Sequence, residues 1–235
     1  MRRVYGAALY TRAVPGTPRI PKATAERLSL YLRELGQRAA DRRETVSSKQ
    51  LGAAVGLTDA QVRKDLACFG QFGQPGVGYR VDALRDRLRE IVGTHQQWRA
   101  AVVGLGNIGR ALLSYRRFRE EGFEIAAVFD QSPTLVGTRT GGLIVQPVGK
   151  LREIVQRENI SIGVIAVPLE AAQDVADALV AAGVRGILNF APRRLRVQGG
   201  IPTVDVDFTS ALQRLSFEVG LGMTAAAPSR RARRE

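Results

Sequence analysis

Ala100-Ala101-Val102-Val103-Gly104-Leu105-Gly106-Asn107-Ile108-Gly109, residues 100–109, runs four apolar residues straight into a G-x-G-x-x-G turn, and a helical pattern from Arg110 to Arg116 follows at once. Buried strand, glycine turn and helix in that order make a dinucleotide-binding fingerprint. The glycines permit a tight turn, close approach of the backbone to a pyrophosphate and close helix packing, while the helix N-terminal amides face the negative charge. A second strand, Ile125 to Phe129, ends in Asp130, twenty-one residues after Gly109. An acidic group at that distance accepts a ribose 2′-hydroxyl and repels a 2′-phosphate, so NAD is expected over NADP. Arg139 nearby weakens that selectivity.

Downstream, apolar runs alternate with helical patterns. Strands are expected near Leu143–Val145, over Ile162–Val167, over Gly186–Asn189 and near Thr203–Val206, with helices over Gly149–Glu158 and Glu170–Ala182. Such alternation implies an α/β fold, here a Rossmann-type doubly wound parallel sheet over residues 99–206. Ligands of such sheets lie at the carboxyl ends of the strands. Val167-Pro168-Leu169 and Asn189-Phe190-Ala191-Pro192 therefore line the nicotinamide half. The candidate cofactor residues are Gly104, Gly106, Asn107, Ile108, Gly109, Asp130, Val167, Pro168 and Asn189. A last helix, Asp207 to about Phe217, puts Phe208, Ala211, Leu212 and Leu215 on one apolar stripe although the sheet is complete. A partner subunit or its own domain could cover that stripe.

Upstream, Lys22 to about Ala40 places Leu28, Tyr31, Leu32 and Leu35 on one helical face. Ser47 or Ser48 caps a short helix that Gly56 stops, and Thr58 caps a third running from Asp59 to about Cys68. This is a helix-turn-helix, whose third helix lies in the DNA major groove with Gln61, Arg63, Lys64 and Asp65 on its exposed face. Arginine and lysine read guanine edges, and glutamine reads adenine. Three ordinary helices with solvated charges would look alike in this segment, but Gly70–Tyr79 adds a glycine-rich hairpin where a wing belongs. A helix from Val81 to about Val92 closes the unit. The expected organisation is a flexible arm over 1–20, a winged helix-turn-helix domain over 21–93, the sheet domain, a terminal helix over 207–219 and a basic flexible tail over 220–235.

The charge distribution suits two modules. Of 235 residues, 35 are basic and 22 acidic, a net charge of +13, of which residues 1–98 carry +8 and residues 99–222 only +2. A basic front end beside a near-neutral remainder fits one module that meets nucleic-acid phosphates and another that does not. Cys68 is the single cysteine and His95 the single histidine. Disulfides, cysteine metal sites and most histidine-based hydrolytic chemistry are thereby excluded. No apolar run approaches the ~20 residues that span a bilayer. A cytoplasmic protein with no metal and no membrane partner is expected. An NAD-dependent oxidoreductase with an accessory N-terminal domain is the alternative, weakened because Lys150 is the only lysine after residue 64 and no substrate domain remains. Coenzyme A is an alternative ligand for the same glycines, and Asp130 argues against it.

Taken together, the residues resemble the Rex family of redox-sensing transcriptional repressors. The resemblance covers about residues 20–220. It rests on Gln61-Val62-Arg63-Lys64-Asp65-Leu66, Gly76-Val77-Gly78-Tyr79, the Rossmann glycines, Val167-Pro168 with Glu170-Ala171-Ala172-Gln173, Gly186-Ile187-Leu188-Asn189-Phe190-Ala191-Pro192, and Val206-Asp207 before Leu215-Ser216-Phe217. It implies a homodimer on double-stranded operator DNA, no enzymatic activity, and a C-terminal swapped helix inserted near the partner's cofactor. It also implies NAD(H) as cofactor with NADH preferred, and release from DNA when NADH replaces NAD+. By the same resemblance Arg63 and Lys64 read bases, Ser47 and Ser48 meet phosphates, and the wing at Gly76, Gly78 and Tyr79 enters the minor groove. Phe208 would press near the nicotinamide, and Asp207 would be shared between Tyr115, on the first Rossmann helix, and Arg33. One departure stands out: the family usually has a basic residue just before Gly-Val-Gly-Tyr, where this chain has Gln74-Pro75.

Overall fold

The computed structural model describes residues 21–74 and 76–225, which form two compact units, 21–98 with 116–124 and 99–115 with 125–225. The expected arm over 1–20 and the tail from 226 onward lie outside the described residues.

The first unit begins with α1 (Lys22–Ala40), β1 (Thr45–Val46), α2 (Ser48–Val55) and α3 (Asp59–Ala67), followed by β2 (Gly73–Gln74), β3 (Gly78–Arg80) and α4 (Val81–Val92). Ser47 closes a capping box on α2: its Oγ accepts from Gln50 N at 3.1 Å while its own N donates to Gln50 Oε1 at 2.9 Å. Gly56, at φ 71°, ends α2, and Thr58 Oγ1 caps α3 by accepting from Gln61 N at 3.2 Å. The turn also depends on Gly52, which the motif reading passed over: a Cβ there would sit 2.6 Å from Leu57 O. The three short strands pair antiparallel in the order β1-β3-β2 and make the wing. Leu28, Tyr31 and Leu35 of α1 meet Leu51, Val62, Leu66, Leu84 and Leu88 in one apolar core.

One expectation for α3 is corrected. Asp65 is 1% exposed, not on the DNA-facing side. Arg27 donates to its carboxylate through Nε at 2.6 Å and Nη2 at 2.7 Å, Tyr31 Oη at 2.8 Å and Gln61 Nε2 at 2.8 Å. A buried carboxylate needs such partners, and this one ties α3 to α1. Burial alone would raise its pKa, but the hydrogen bonds from Arg27, Tyr31 and Gln61 outweigh it and hold the carboxyl below its usual range.

After β4 (Trp98–Val103) and α5 (Asn107–Ser114) come α6 (Arg117–Glu120), β5 (Phe123–Asp130), β6 (Arg139–Thr140), β7 (Leu143–Pro147), α7 (Leu151–Arg157), β8 (Ile162–Ile165), α8 (Ala172–Ala182), β9 (Gly186–Asn189), β10 (Thr203–Asp205) and α9 (Phe208–Ala225). The seven-stranded sheet has the order β10-β9-β8-β4-β5-β7-β6. The chain leaves β4 in one direction through β5 and β7, then returns to its other side with β8. That reversal opens a crevice between the carboxyl ends of β4 and β8. Alternate β4 residues serve the two faces: Ala100 and Val102 join the cluster with Leu112 and Leu113 of α5, and Ala101 and Val103 join the residues of α7 and α8.

The sheet is not wholly parallel. A hairpin at Gly141-Gly142 turns β6 back on β7, and Arg139 pairs with Ile144 antiparallel. Helix α5 stops at Ser114, so Tyr115 is its extended C-cap and not part of the helix. Helix α9 continues to Ala225, so residues 220–225, expected as tail, are helical. Its Phe208, Leu212, Leu215 and Val219, which share one stripe, are exposed, Leu212 to 65%, as is Phe217 on another face; the chain's own sheet domain leaves the stripe uncovered. Among the described residues no helix is long and apolar enough to cross a membrane, and no group of histidine, cysteine or carboxylate side chains is placed to hold a metal.

Candidate functional site

The crevice beside β4 is a cleft of about 320 Å³, within the range of small-molecule sites. Its floor is the glycine turn, where each glycine meets a different demand. Gly104 sits at φ 96°, and a Cβ there would lie 2.5 Å from Ala166 O, just past the end of the neighbouring strand β8. At Gly109 a Cβ would collide with Gly104 O, so this glycine lets α5 lie against the turn. Gly106 is neither strained nor crowded: φ is −73°, and a Cβ would meet nothing within 4 Å. Open space above a helix N-terminus is where a diphosphate can approach backbone amides.

Asp130, at the end of β5, is fixed by two backbone amides, Leu105 N to Oδ2 at 2.7 Å and Ser132 N to Oδ1 at 2.8 Å. Each oxygen keeps a lone pair for a ribose hydroxyl. The turn and the carboxylate thus form one rigid piece. Gly104, Gly106, Asp130, Val167 and Pro168 all line this cleft, and Asn107, Ile108, Gly109, Asn189 and Phe208 do not. Gln131, Ala171, Asp174 and Val175 line it as well and were missed by sequence reasoning; only the return of β8 beside β4 brings the first turn of α8 there.

Asn189 is corrected from a cleft residue to a fully buried brace. Its Nδ2 donates to Arg193 O and Asp205 Oδ1, both at 2.8 Å, and its Oδ1 accepts from Ala191 N at 3.0 Å. The brace holds the loop carrying Phe190, whose ring centroid lies 6.3 Å from that of Phe208 at the start of α9. Just before that helix, Asp207 Oδ2 accepts from Ser210 Oγ at 2.6 Å and Oδ1 from Ser210 N at 3.0 Å. These bonds hold its carboxyl below the usual range. Tyr115 is half-exposed at the end of α5, and Arg33 is exposed on α1.

In the first unit, a groove of about 610 Å³ between α3 and the wing collects Ser47, Ser48, Arg63, Gly76, Gly78 and Tyr79. The Arg63 guanidinium reaches Asp59 Oδ2 at 2.6 Å and Ser48 Oγ at 3.1 Å. The bond from Arg63 lowers the Asp59 pKa. Lys64 is exposed on α3 outside the groove. The amide of Gln61 is turned onto Asp65. Tyr79 is 9% exposed, its ring buried in the core beneath the wing, and burial raises its hydroxyl pKa. At Gly78 the turn needs glycine: φ is 91°, and a Cβ would lie 2.6 Å from Val46 O.

A winged helix-turn-helix and a Rossmann-type nucleotide cleft in one chain define a ligand-responsive DNA-binding regulator. The redox-sensing transcriptional repressor Rex of Carboxydothermus hydrogenoformans is 49% identical over 201 residues, 86% of this chain and 97% of the relative. The chain belongs to the Rex family of redox-sensing transcriptional repressors. The Rex protein of Streptomyces coelicolor is 45% identical over 198 residues, 84% of this chain and 77% of its own. Residues 19–67 match the family described as "Putative DNA-binding protein N-terminus", and residues 95–193 match "CoA binding domain". The solved structure of RSP in complex with β-NAD+ and operator DNA superposes with a TM-score of 0.80 at 31% identity, over 89% of this chain and 99% of that one. RSP in complex with β-NADH gives a TM-score of 0.80 at 30% identity, over 87% of this chain and 96% of that one.

Proposed function

We propose that this protein is a cytoplasmic repressor that binds operator DNA as a homodimer and leaves it when NADH replaces NAD+. The observation that carries this reading is the coexistence, in a Rex-family chain, of the groove between α3 and the wing with a cleft whose glycine turn is bonded directly to Asp130. The cleft residues suit a dinucleotide. Gly106 leaves room for the diphosphate, Asp130 accepts a ribose hydroxyl, and Val167 and Pro168 wall the other half with apolar surface. Asp130 also favours NAD(H) over coenzyme A, although the cleft falls within a CoA-binding family match. On the DNA side Arg63 and Lys64 read base edges, and Ser48, with the Ser47-capped end of α2, faces phosphates. Tyr79 and Gln61 act from beneath, placing the wing and α3.

Turnover forms no part of this reading. The relatives are named as repressors, and the cleft is lined by no histidine, lysine, tyrosine or cysteine among the described residues, only by Asp130 and Asp174 as ionisable groups. The uncovered stripe of α9 supports a second copy of the chain as the covering surface. Asp207, capping α9 by way of Ser210, is the carboxylate for which Tyr115 and Arg33 compete, and a carboxylate with two alternative cationic or hydroxyl partners is a bistable element.

Selection of duplexes from a random pool at fixed salt, first with NAD+ and then with NADH, tests the whole reading. A palindromic site enriched with NAD+ and released by NADH is expected; binding blind to the cofactor's redox state would overturn it. For the switch, Asp207→Ala should weaken NADH-driven release by roughly tenfold or more while changing NADH affinity little, since a ligand shifts an equilibrium only by its differential affinity. Asp207→Ser keeps a capping oxygen and separates loss of the cap from loss of the charge. Unaltered release in both variants would remove Asp207 from the switch.

A further inference from the structure

We infer that Asp59 sets the sequence selectivity of this protein by holding the Arg63 guanidinium in one place on the groove side of α3. The inference rests on the DNA-binding reading above. Asp59 is the first residue of α3, one helical turn before Arg63. Its Oδ2 accepts from Arg63 Nη1 at 2.6 Å, and the same nitrogen donates to Ser48 Oγ at 3.1 Å, so the arginine is gripped from α2 and α3 together. The carboxylate is itself fixed, because Oδ1 accepts from Ala60 N at 2.8 Å. Nε and Nη2 of Arg63 have no partner among the described residues, and the side chain lines the groove. Two donors in a rigid fork are what the O6 and N7 edge of guanine accepts.

An exposed i,i+4 ion pair adds little to stability, so its weight falls on binding. Two effects act in the same direction. Arg63 loses less freedom when it meets a base, and it is less able to swing to whichever phosphate is near. The carboxylate also repels the DNA backbone on every sequence, and only the contact between Arg63 and its own base offsets that cost, which is selectivity by disfavouring the wrong partner. Lys64, exposed and outside the groove, supplies attraction without this restraint.

The test compares the full-length protein with Asp59→Asn and Asp59→Glu on two duplexes of equal length, the one enriched by the wild type and one of random sequence. Asp59→Asn should lower the preference for the enriched duplex by roughly tenfold. Part of that change should be two- to threefold tighter binding to random DNA, as a repelling charge is gone. Asp59→Glu, which still reaches Arg63 across one turn, should restore most of the preference. Asp59 would be merely structural if both duplexes weakened in parallel with a lower melting temperature, and an unchanged preference would equally overturn the assignment. A wild-type protein that prefers no duplex would instead sink the DNA-binding reading, and this inference with it.

Discussion

Gly106→Val should cost the protein its dinucleotide and leave its fold standing. The backbone at Gly106 is ordinary extended chain, φ −73° and ψ −163°, and an added Cβ meets nothing within 4 Å. Valine is therefore tolerated by the protein, yet its branched side chain fills the space over the start of α5 through which a diphosphate must approach. NADH affinity is expected to fall by roughly 100-fold, about 2.7 kcal/mol, with the melting temperature little changed. Gly104→Val is the contrasting variant. There a side chain faces both a left-handed φ of 96° and Ala166 O at 2.5 Å from its Cβ, so the sheet domain itself should lose roughly 3 kcal/mol. Titration with NADH and thermal melting of both variants check the pair. Near-normal NADH binding by Gly106→Val would show that phosphates do not pass over this turn.

The second large effect is on the DNA-binding unit. Asp65→Ala leaves Arg27 and Tyr31 without the carboxylate that ties α1 to α3, and removing one member of a buried charged network is far costlier than never having built it. Arg27 can turn partly to water, so a loss of about 3 kcal/mol in the stability of the winged-helix unit is expected, with DNA binding falling as α3 loses its seat. Asp65→Asn, isosteric and able to keep some of the bonds, should lose less. The acid response has a definite sign. The folded-state pKa of Asp65 is depressed, so its stabilisation is complete above the unfolded carboxylate value of about 3.9 and is lost as pH falls through the lower folded value. Urea unfolding of the full chain between neutral and acid pH should show that loss in the wild type and not in Asp65→Ala. Equal acid sensitivity in both would assign the buried network no part in it.

Asp65 also shows where reading by residue type misleads. It stands three residues after Val62 and beside Leu66, both buried, so its spacing put it on the inner side of α3 although its charge suggested water. Gln61 apart, the partners that make burial tolerable lie on α1, some 34 to 41 residues away, and no local pattern reveals them. Asn189 misled in the same way. A polar residue at the end of a strand beside the crevice looked like a ligand contact, and its amide is used up by Arg193, Ala191 and Asp205. The antiparallel β6 went unread because two residues carry too little pattern, and the length of α9 because its later turns lack a regular apolar period.

The local chemistry was determined by the sequence alone. An apolar run into G-x-G-x-x-G dictates strand, turn and helix through backbone sterics, and the caps at Ser47 and Thr58 with the stop at Gly56 dictate the helix-turn-helix through local hydrogen bonds. Both depend on residues within a few positions of each other. Only the tertiary structure decided which of these residues meet: Asp130 locked to the glycine turn, the first turn of α8 brought to the cleft by the reversal of strand order, Arg63 of α3 bonded to Ser48 of α2, and Asp65 buried beneath α1. Such pairings depend on the packing of segments far apart in the chain, whose energies no run of neighbouring residues contains.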